Sequence, residues 1–149
     1  MADGGTVAGG EGSGAEANVA VVRRFYEEVF NQGREDVIDE VIATDYVDYG
    51  HDPPGIGPQG ARDDYRGVLA ISEAPRFDME DVVAAGDTVA VRWTGHLVHT
   101  GPIAGIPPTG KVLTLRGMSF YKVRDGRIVE TRNQADVMGL MSQLGAGPG

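Results

Sequence analysis

The stretch Gly126–Gly145, GRIVETRNQADVMGLMSQLG, carries the reading of the fold. Asp125-Gly126 is a tight-turn signal at its start. An alternating strand pattern follows, and the short apolar run from Val137 onward reads as a closing helix. Strand side chains alternate between faces, which puts Ile128, Glu130, Arg132, Gln134 and Asp136 on one side. Arg132, Gln134 and Asp136 are then a cation, an amide and a carboxylate in an otherwise apolar neighbourhood. This row is expected to line a pocket in which Asp136 transfers protons. Asp136 directly before Val137-Met138-Gly139-Leu140-Met141 is also a good helix N-cap, and that role alone would account for it.

Working outward, the same period of two runs back through most of the second half. Lys111–Val123 reads as a strand, and Arg76–Ala85 with Thr88–His99 as a hairpin around Gly86-Asp87. Trp93 shares its face with Val89, Val91 and Leu97, the pattern of core packing. Arg116 lies within an apolar strand, where an unpaired guanidinium is costly. It is expected either to reach an acid such as Asp136 or Glu130 or to snorkel to the sheet edge.

Before Pro75 the period is helical. Val19, Val22, Phe25, Tyr26, Val29 and Phe30 recur at three- and four-residue steps until Asn31-Gln32-Gly33. Val37, Ile38, Val41 and Ile42 mark a second, shorter helix, and Ala61 to about Ser72 a third. Between them Asp45–His51 alternates as a short strand, stopped by Pro53-Pro54. Three helices, a run of antiparallel strands and a terminal helix make an α+β layout, with the helices on one face of a curved sheet. Such a sheet encloses a cone, a natural ligand pocket.

The chain has 149 residues, one domain by length. Six glycines among the first 14 residues, and Gly145-Ala146-Gly147-Pro148-Gly149 at the other end, leave little to bury. Residues 1–15 and 146–149 are therefore expected as disordered tails around one domain, 16–145. Thirteen Lys plus Arg against 22 Asp plus Glu give a formal charge of −9, which disfavours nucleic acid as a partner. There is no cysteine, hence no thiolate chemistry. Met-Ala-Asp-Gly-Gly has neither the basic nor the apolar region of a signal peptide, and no apolar run approaches a membrane span of about 20 residues. A cytoplasmic protein with no membrane partner is the expectation.

Two glycine motifs do not carry their usual chemistry. Gly55-Ile56-Gly57-Pro58-Gln59-Gly60 matches G-x-G-x-x-G, yet no buried strand precedes it and Pro58 removes an N–H that could face a phosphate. A loop-to-helix turn explains it better. Gly105-Ile106-Pro107-Pro108-Thr109-Gly110-Lys111 nearly matches a P-loop, but Val112 stands where magnesium needs Ser or Thr, and a strand follows. His96 and His99 point to opposite faces of one strand and cannot clamp one ion together, so no metal is expected.

Val89–Thr94 (VAVRWT), Gly105–Lys111 (GIPPTGK), Val123–Glu130 (VRDGRIVE) and Asp136–Gly145 (DVMGLMSQLG), in this order, resemble the SnoaL-like polyketide cyclases, the ester cyclase branch of the nuclear transport factor 2-like superfamily. The resemblance spans about Asn18 to Gly145. It implies a cone built on a curved antiparallel sheet, no metal or organic cofactor, and a homo-oligomer, dimer or tetramer, formed through the sheet. It further implies a small, polyketide-like substrate and ring closure by intramolecular aldol condensation. Under it Asp136 falls on the catalytic aspartate, with His51 or Gln134 supplying polar help. Tyr26, Tyr49, Trp93, Arg116, Met118, Phe120, Arg132 and Gln134 would bind the substrate. Many relatives carry Trp four residues before the aspartate, where this chain has Arg132. An Asp136–Arg132 pair would also suit epoxide opening. A non-catalytic binding or dimerisation module is the alternative from outside enzymology.

Overall fold

The computed structural model describes residues 13–145. Helix α1 (Ser13–Arg24) continues through a wider, π-helical segment, Phe25–Asn31. A 3-10 turn, Glu35–Val37, leads into the one-turn helix α2 (Ile38–Val41). Then come β1 (Ile42–Asp48), the two-residue β2 (Gly55–Ile56) and α3 (Gly57–Leu69). Strands β3 (Arg76–Ala85), β4 (Thr88–Val98), β5 (Val112–Arg124) and β6 (Arg127–Ala135) follow, and α4 (Val137–Gln143) closes the chain. The α+β cone with helices over a curved sheet is therefore observed. Residues 13–15, expected in the tail, belong to α1, where Ala15 is buried. The rest of both expected tails, 1–12 and 146–149, lies outside the described residues. Among those described, no helix is long and apolar enough to cross a membrane.

The six strands form one sheet in the order β2-β1-β6-β5-β4-β3. The sheet is mixed, not wholly antiparallel, because β1 runs parallel to β6. This pairing brings the segment after the N-terminal helices alongside the last strand, and so builds one wall of the cone from distant parts of the chain. The β5–β6 hairpin turns at Asp125-Gly126, both with positive φ, the geometry of a two-residue hairpin loop. Gly55 and Gly60 pack so closely at the start of α3 that a Cβ on Gly60 would stand 2.7 Å from Gly55 C. The glycine pattern there is a turn into a helix, as expected.

Strand β4 pairs with β5 over eleven positions without a break, so its period of two is undisturbed. Val89, Val91, Trp93 and Leu97 all face the helices and are buried. On β5 the inner row is Leu113, Leu115, Gly117, Ser119, Tyr121 and Val123, with Arg116, Met118 and Phe120 on the outer face. Asn31 fastens the helical layer to edge strand β3: Phe77 N–H donates to its Oδ1 (2.7 Å) and its Nδ2 donates to Phe77 O (2.9 Å). Those bonds occupy backbone groups that an edge strand would leave open. Phe30 packs edge-on against Phe25, Tyr65 and Phe77, extending an aromatic cluster to Trp93.

Candidate active site

Strand β6 decides which residues see the interior. Lys122 pairs with Glu130 and Val123 with Ile128, so Val129 is an extra residue on β6. A one-residue bulge exchanges the faces of everything beyond it. Ile128 points inward, but past the bulge the inward row is Thr131, Asn133 and Ala135. Glu130, Arg132, Gln134 and Asp136 therefore lie on the outer side, contrary to the uninterrupted alternation expected for them.

The cavity between the helices and this inner row encloses about 830 Å³, counting its mouth to solvent. The interior space that a water-sized sphere can occupy is about 200 Å³, smaller than the roughly 300–1,000 Å³ of drug-sized ligand sites. Phe25, Tyr26 and Phe30 come from the π-helical segment, Phe77 and Trp93 from β3 and β4, and Tyr46 from β1. π-helical turns are frequent at functional sites, and here the segment aims three rings into one space. Polar groups occur in two places, at the floor and at the mouth.

At the floor, Tyr26 and Tyr121 share a hydrogen bond of 2.6 Å between their hydroxyls. Burial pushes the Tyr121 phenol up to about 12 and Tyr26 well above its ordinary value, so both stay neutral hydrogen-bonding groups. Trp93 Nε1–H donates to Ser119 Oγ (3.0 Å), and Ser119 donates to Asn133 Oδ1 (2.7 Å). Tyr46 OH donates to Thr131 Oγ1 (2.8 Å).

At the mouth, Asp48 is only 4 % exposed. Its Oδ1 accepts from Gly50 N–H at 2.8 Å, and its Oδ2 lies 3.5 Å from His51 Nε2. The same His51 nitrogen is 3.0 Å from Asp64 Oδ1 on α3. Burial raises the Asp48 carboxyl above its ordinary value, partly offset by the Gly50 bond and aided by the charge of Asp64. The hydrogen bond to Asp64 raises His51, against its own partial burial. The result is a carboxylate–imidazole–carboxylate cluster at the entrance of an aromatic cavity. One donor atom from each of Asp48, His51 and Asp64 lies within 4.8 Å of the others, so the same three side chains have the donor types to hold a divalent ion.

Of the ten candidate residues, the structure brings His51, Trp93 and Tyr26 to the cavity. Asp136 is exposed and accepts from Gly139 N–H at 2.8 Å, the N-cap of α4. Arg132 donates to Glu130 (3.1 Å), and its guanidinium lies 4.0 Å from the ring centroid of Tyr49, outside the cavity. Arg116, Met118, Phe120 and Gln134 lie on the outer sheet face, and Arg116 meets Asp136 only through its carbonyl, which accepts from Asp136 N–H (2.8 Å). Counting the Val129 bulge makes Arg132 and Gln134 outward, and the unbroken alternation of β5 makes Arg116, Met118 and Phe120 outward. His96 faces outward beside Asp78 (3.1 Å), and His99 is buried beneath the glycine-proline loop with Thr109 N–H donating to Nδ1 (3.3 Å), so the two histidines do point apart. Sequence reasoning missed Asp48, Asp64, Ser119 and Asn133. Asp48 was legible in part, because Tyr46 and Asp48 share a face in the alternating stretch after Ile42.

The sequence profile described as SnoaL-like polyketide cyclase matches residues 20–144. The chain belongs to this family. Nogalonic acid methyl ester cyclase from Streptomyces nogalater is 30 % identical over 78 % of this chain and 89 % of its own length. Aklanonic acid methyl ester cyclase DnrD from Streptomyces peucetius is 27 % identical over 85 % and 90 %. Among solved structures, IdmH from Streptomyces antibioticus, described as a candidate polyketide cyclase, is 30 % identical, covers 86 % of this chain and 98 % of its own, and superposes with a TM-score of 0.76. The chain is thus a SnoaL-like polyketide cyclase, an enzyme by family, and the cone observed here is that family's fold. The titratable groups Asp48, His51 and Asp64 line the cavity, whereas Arg132 and Asp136 do not.

Proposed function

We propose that this SnoaL-like cyclase closes a ring of a polyketide methyl ester by intramolecular aldol condensation, without a cofactor, and that Asp48 carries the proton. The buried Asp48 carboxylate beside His51, at the mouth of an aromatic cavity, carries this reading. A carbon between two carbonyl groups is already acidic, and a partly desolvated carboxylate with a raised pKa is a competent base for it. Asp48 Oδ2 takes the carbon-bound proton, and the enolate carbon attacks the second carbonyl carbon. A C–C bond forms as the C=O π bond becomes an alkoxide. The protonated Asp48 returns its proton to that oxygen, so the carboxylate is restored and the proton has moved from carbon to oxygen. His51, held by Asp64, places positive charge beside Asp48 and keeps it ionised in the resting cavity. The aromatic walls fold the substrate into a reactive conformer. Among the described residues the cavity lining contains no arginine or lysine, and Arg132 with Asp136 lies outside it, which favours ring closure over the Asp–Arg epoxide reading.

The test is turnover of nogalonic and aklanonic acid methyl esters by the wild type, Asp48→Asn and Asp136→Asn. Asp48→Asn is expected to lose about 10²–10⁴-fold in rate, the usual contribution of general acid–base catalysis. Asp136→Asn should remain active, because Asn caps as well as Asp. Loss of activity in Asp136→Asn with retention in Asp48→Asn would return the chemistry to the end of β6. Tight binding without turnover in the wild type would mark a binding module instead.

A further inference from the structure

The bonds from Trp93 through Ser119 to Asn133 at the cavity floor run in one direction. An indole N–H only donates, and Trp93 gives its proton to Ser119 Oγ. Ser119 has one hydroxyl proton, and it goes to Asn133 Oδ1, directly across the strand pair. The oxygen end of the Asn133 amide is thereby occupied. Among the described residues nothing accepts from its Nδ2 group, and Asn133 lines the cavity. A cavity-lining amide with an anchored oxygen presents two N–H donors to whatever fills the space.

The Asn133 side chain and the proposed base start from opposite sides of one glycine. Gly50 lies between the two side chains: a Cβ built on it would be 3.0 Å from Asp48 Oδ1 and 3.6 Å from Asn133 Cβ. Asp48 and Asn133 thus flank one small opening that a larger residue at position 50 would fill. An acceptor and an amide donor lining the same cavity suit a carbon acid whose proton leaves on one side while charge builds on its oxygen at the other. Asn133 does not titrate, so it donates at every working pH, which a carboxylate in the same place could not do.

We propose that Asn133 is an oxyanion donor of this site: its side-chain amide, oriented by Trp93 and Ser119, hydrogen-bonds the substrate carbonyl oxygen that becomes negatively charged during ring closure. Preoriented donors aimed at developing charge contribute heavily to catalysis in a low-dielectric cavity. The proposal assigns the recognised ligand class as planar 1,3-dicarbonyl compounds and their enolates or phenolate analogues. It rests on the ring-closing reading. Ser119 is a positioning residue in this scheme, acting through Asn133.

A planar phenol tests it without turnover. 2,6-Dihydroxyanthraquinone is titrated in the visible while bound to the wild type, Asn133→Ala, the near-isosteric Asn133→Asp and Ser119→Ala. Asp48, His51, Asp64, Tyr26, Tyr46 and Tyr121 face the same cavity and act on the probe in all four proteins, so the difference between proteins isolates the amide. Asn133→Ala is expected to raise the bound phenol pKa by about one unit, a tenfold loss of preference for the phenolate. Asn133→Asp should raise it further, and Ser119→Ala less than either. With the methyl esters, Asn133→Ala should lower kcat by about 10²–10³-fold and leave KM within a few-fold. Equal bound pKa values and equal kcat in the wild type and Asn133→Ala would overturn the proposal while leaving the ring-closing reading intact. A wild type that shifts the phenol through Asn133 but cyclises no ester would overturn that reading and keep the donor assignment.

Discussion

Asp48 Oδ2 lies 3.5 Å from His51 Nε2, which places the buried acid of β1 against a half-exposed imidazole at the cavity entrance. The two groups depend on each other unequally. Burial makes the Asp48 charge unfavourable, and His51 relieves only part of that cost. His51 takes most of its own stabilisation from Asp64. The cluster is therefore a strained acid supported by a well-partnered base, an arrangement that trades stability for reactivity.

Asp48→Asn separates those two properties. The folded pKa of Asp48 is raised, so its penalty is present when the pH is above that value and disappears as the pH falls below the ordinary 3.8. The neutral amide keeps an oxygen for Gly50 N–H and removes the penalty. The expected result is a higher Tm at pH 7 than for the wild type, a gap that closes toward pH 4, and loss of ring closure. Thermal melts across that range check it, and a lower Tm at pH 7 would show that the His51 contact outweighs burial.

The imidazole gives the opposite linkage experiment. His51 is raised above 6.5 in the folded state, so its contribution is complete below 6.5 and is lost as the pH rises through the folded value. Wild-type stability should fall over that interval. His51→Asn should flatten the profile there, and Asp64→Asn should shift the loss to lower pH. Melts between pH 5 and 9 read both effects. The imidazole is half exposed, so the slope will be shallow and will weaken with added salt.

How far the sequence could be read depended on where the backbone kept its regular period. The face of Trp93 is legible because β4 and β5 stay in register from Thr88 to Val98. The face of Asp136 is not, because Val129 adds a single residue to β6 and nothing in Arg127–Glu130 marks a bulge as a glycine might. The family resemblance implies a substrate-binding role for Arg116, Met118 and Phe120. In fact Met118 is 62 % and Phe120 58 % exposed, and the inner row opposite them is small or polar, Gly117 and Ser119. The parallel pairing of β1 with β6, which carries Asp48 to Thr131 and its neighbour Asn133, is a long-range contact that local periodicity does not encode.

Gly117 shows how that inner row makes room for the indole. A Cβ there would stand 2.2 Å from Trp93 Cζ2, so Gly117→Ala must displace the ring and break its bond to Ser119. Overpacking of this kind costs about 1–3 kcal/mol. The chain contains one tryptophan, so its fluorescence reports the displacement directly. The expected outcome is a lower Tm, a red-shifted emission and reduced ring closure. Unchanged emission would mean that the strand, not the indole, had moved.

The last prediction concerns the alternative use of the mouth cluster. Asp48, His51 and Asp64 could hold a divalent ion, with donor atoms within 4.8 Å of one another. Their present contacts are equally those of a proton-transfer group, since His51 is already hydrogen-bonded to Asp64 at 3.0 Å. The two roles exclude each other, because a metal would take the Asp48 oxygen that must accept the carbon proton and would depress its pKa. Protein dialysed against EDTA should therefore keep full activity, and added Zn²⁺ or Mn²⁺ should inhibit in competition with substrate. Asp64→Asn should weaken that inhibition, because it removes one donor while leaving Asp48 in place. Activity lost on dialysis and restored by a metal would instead make the cluster a metal centre, and Asp48 a ligand rather than a base.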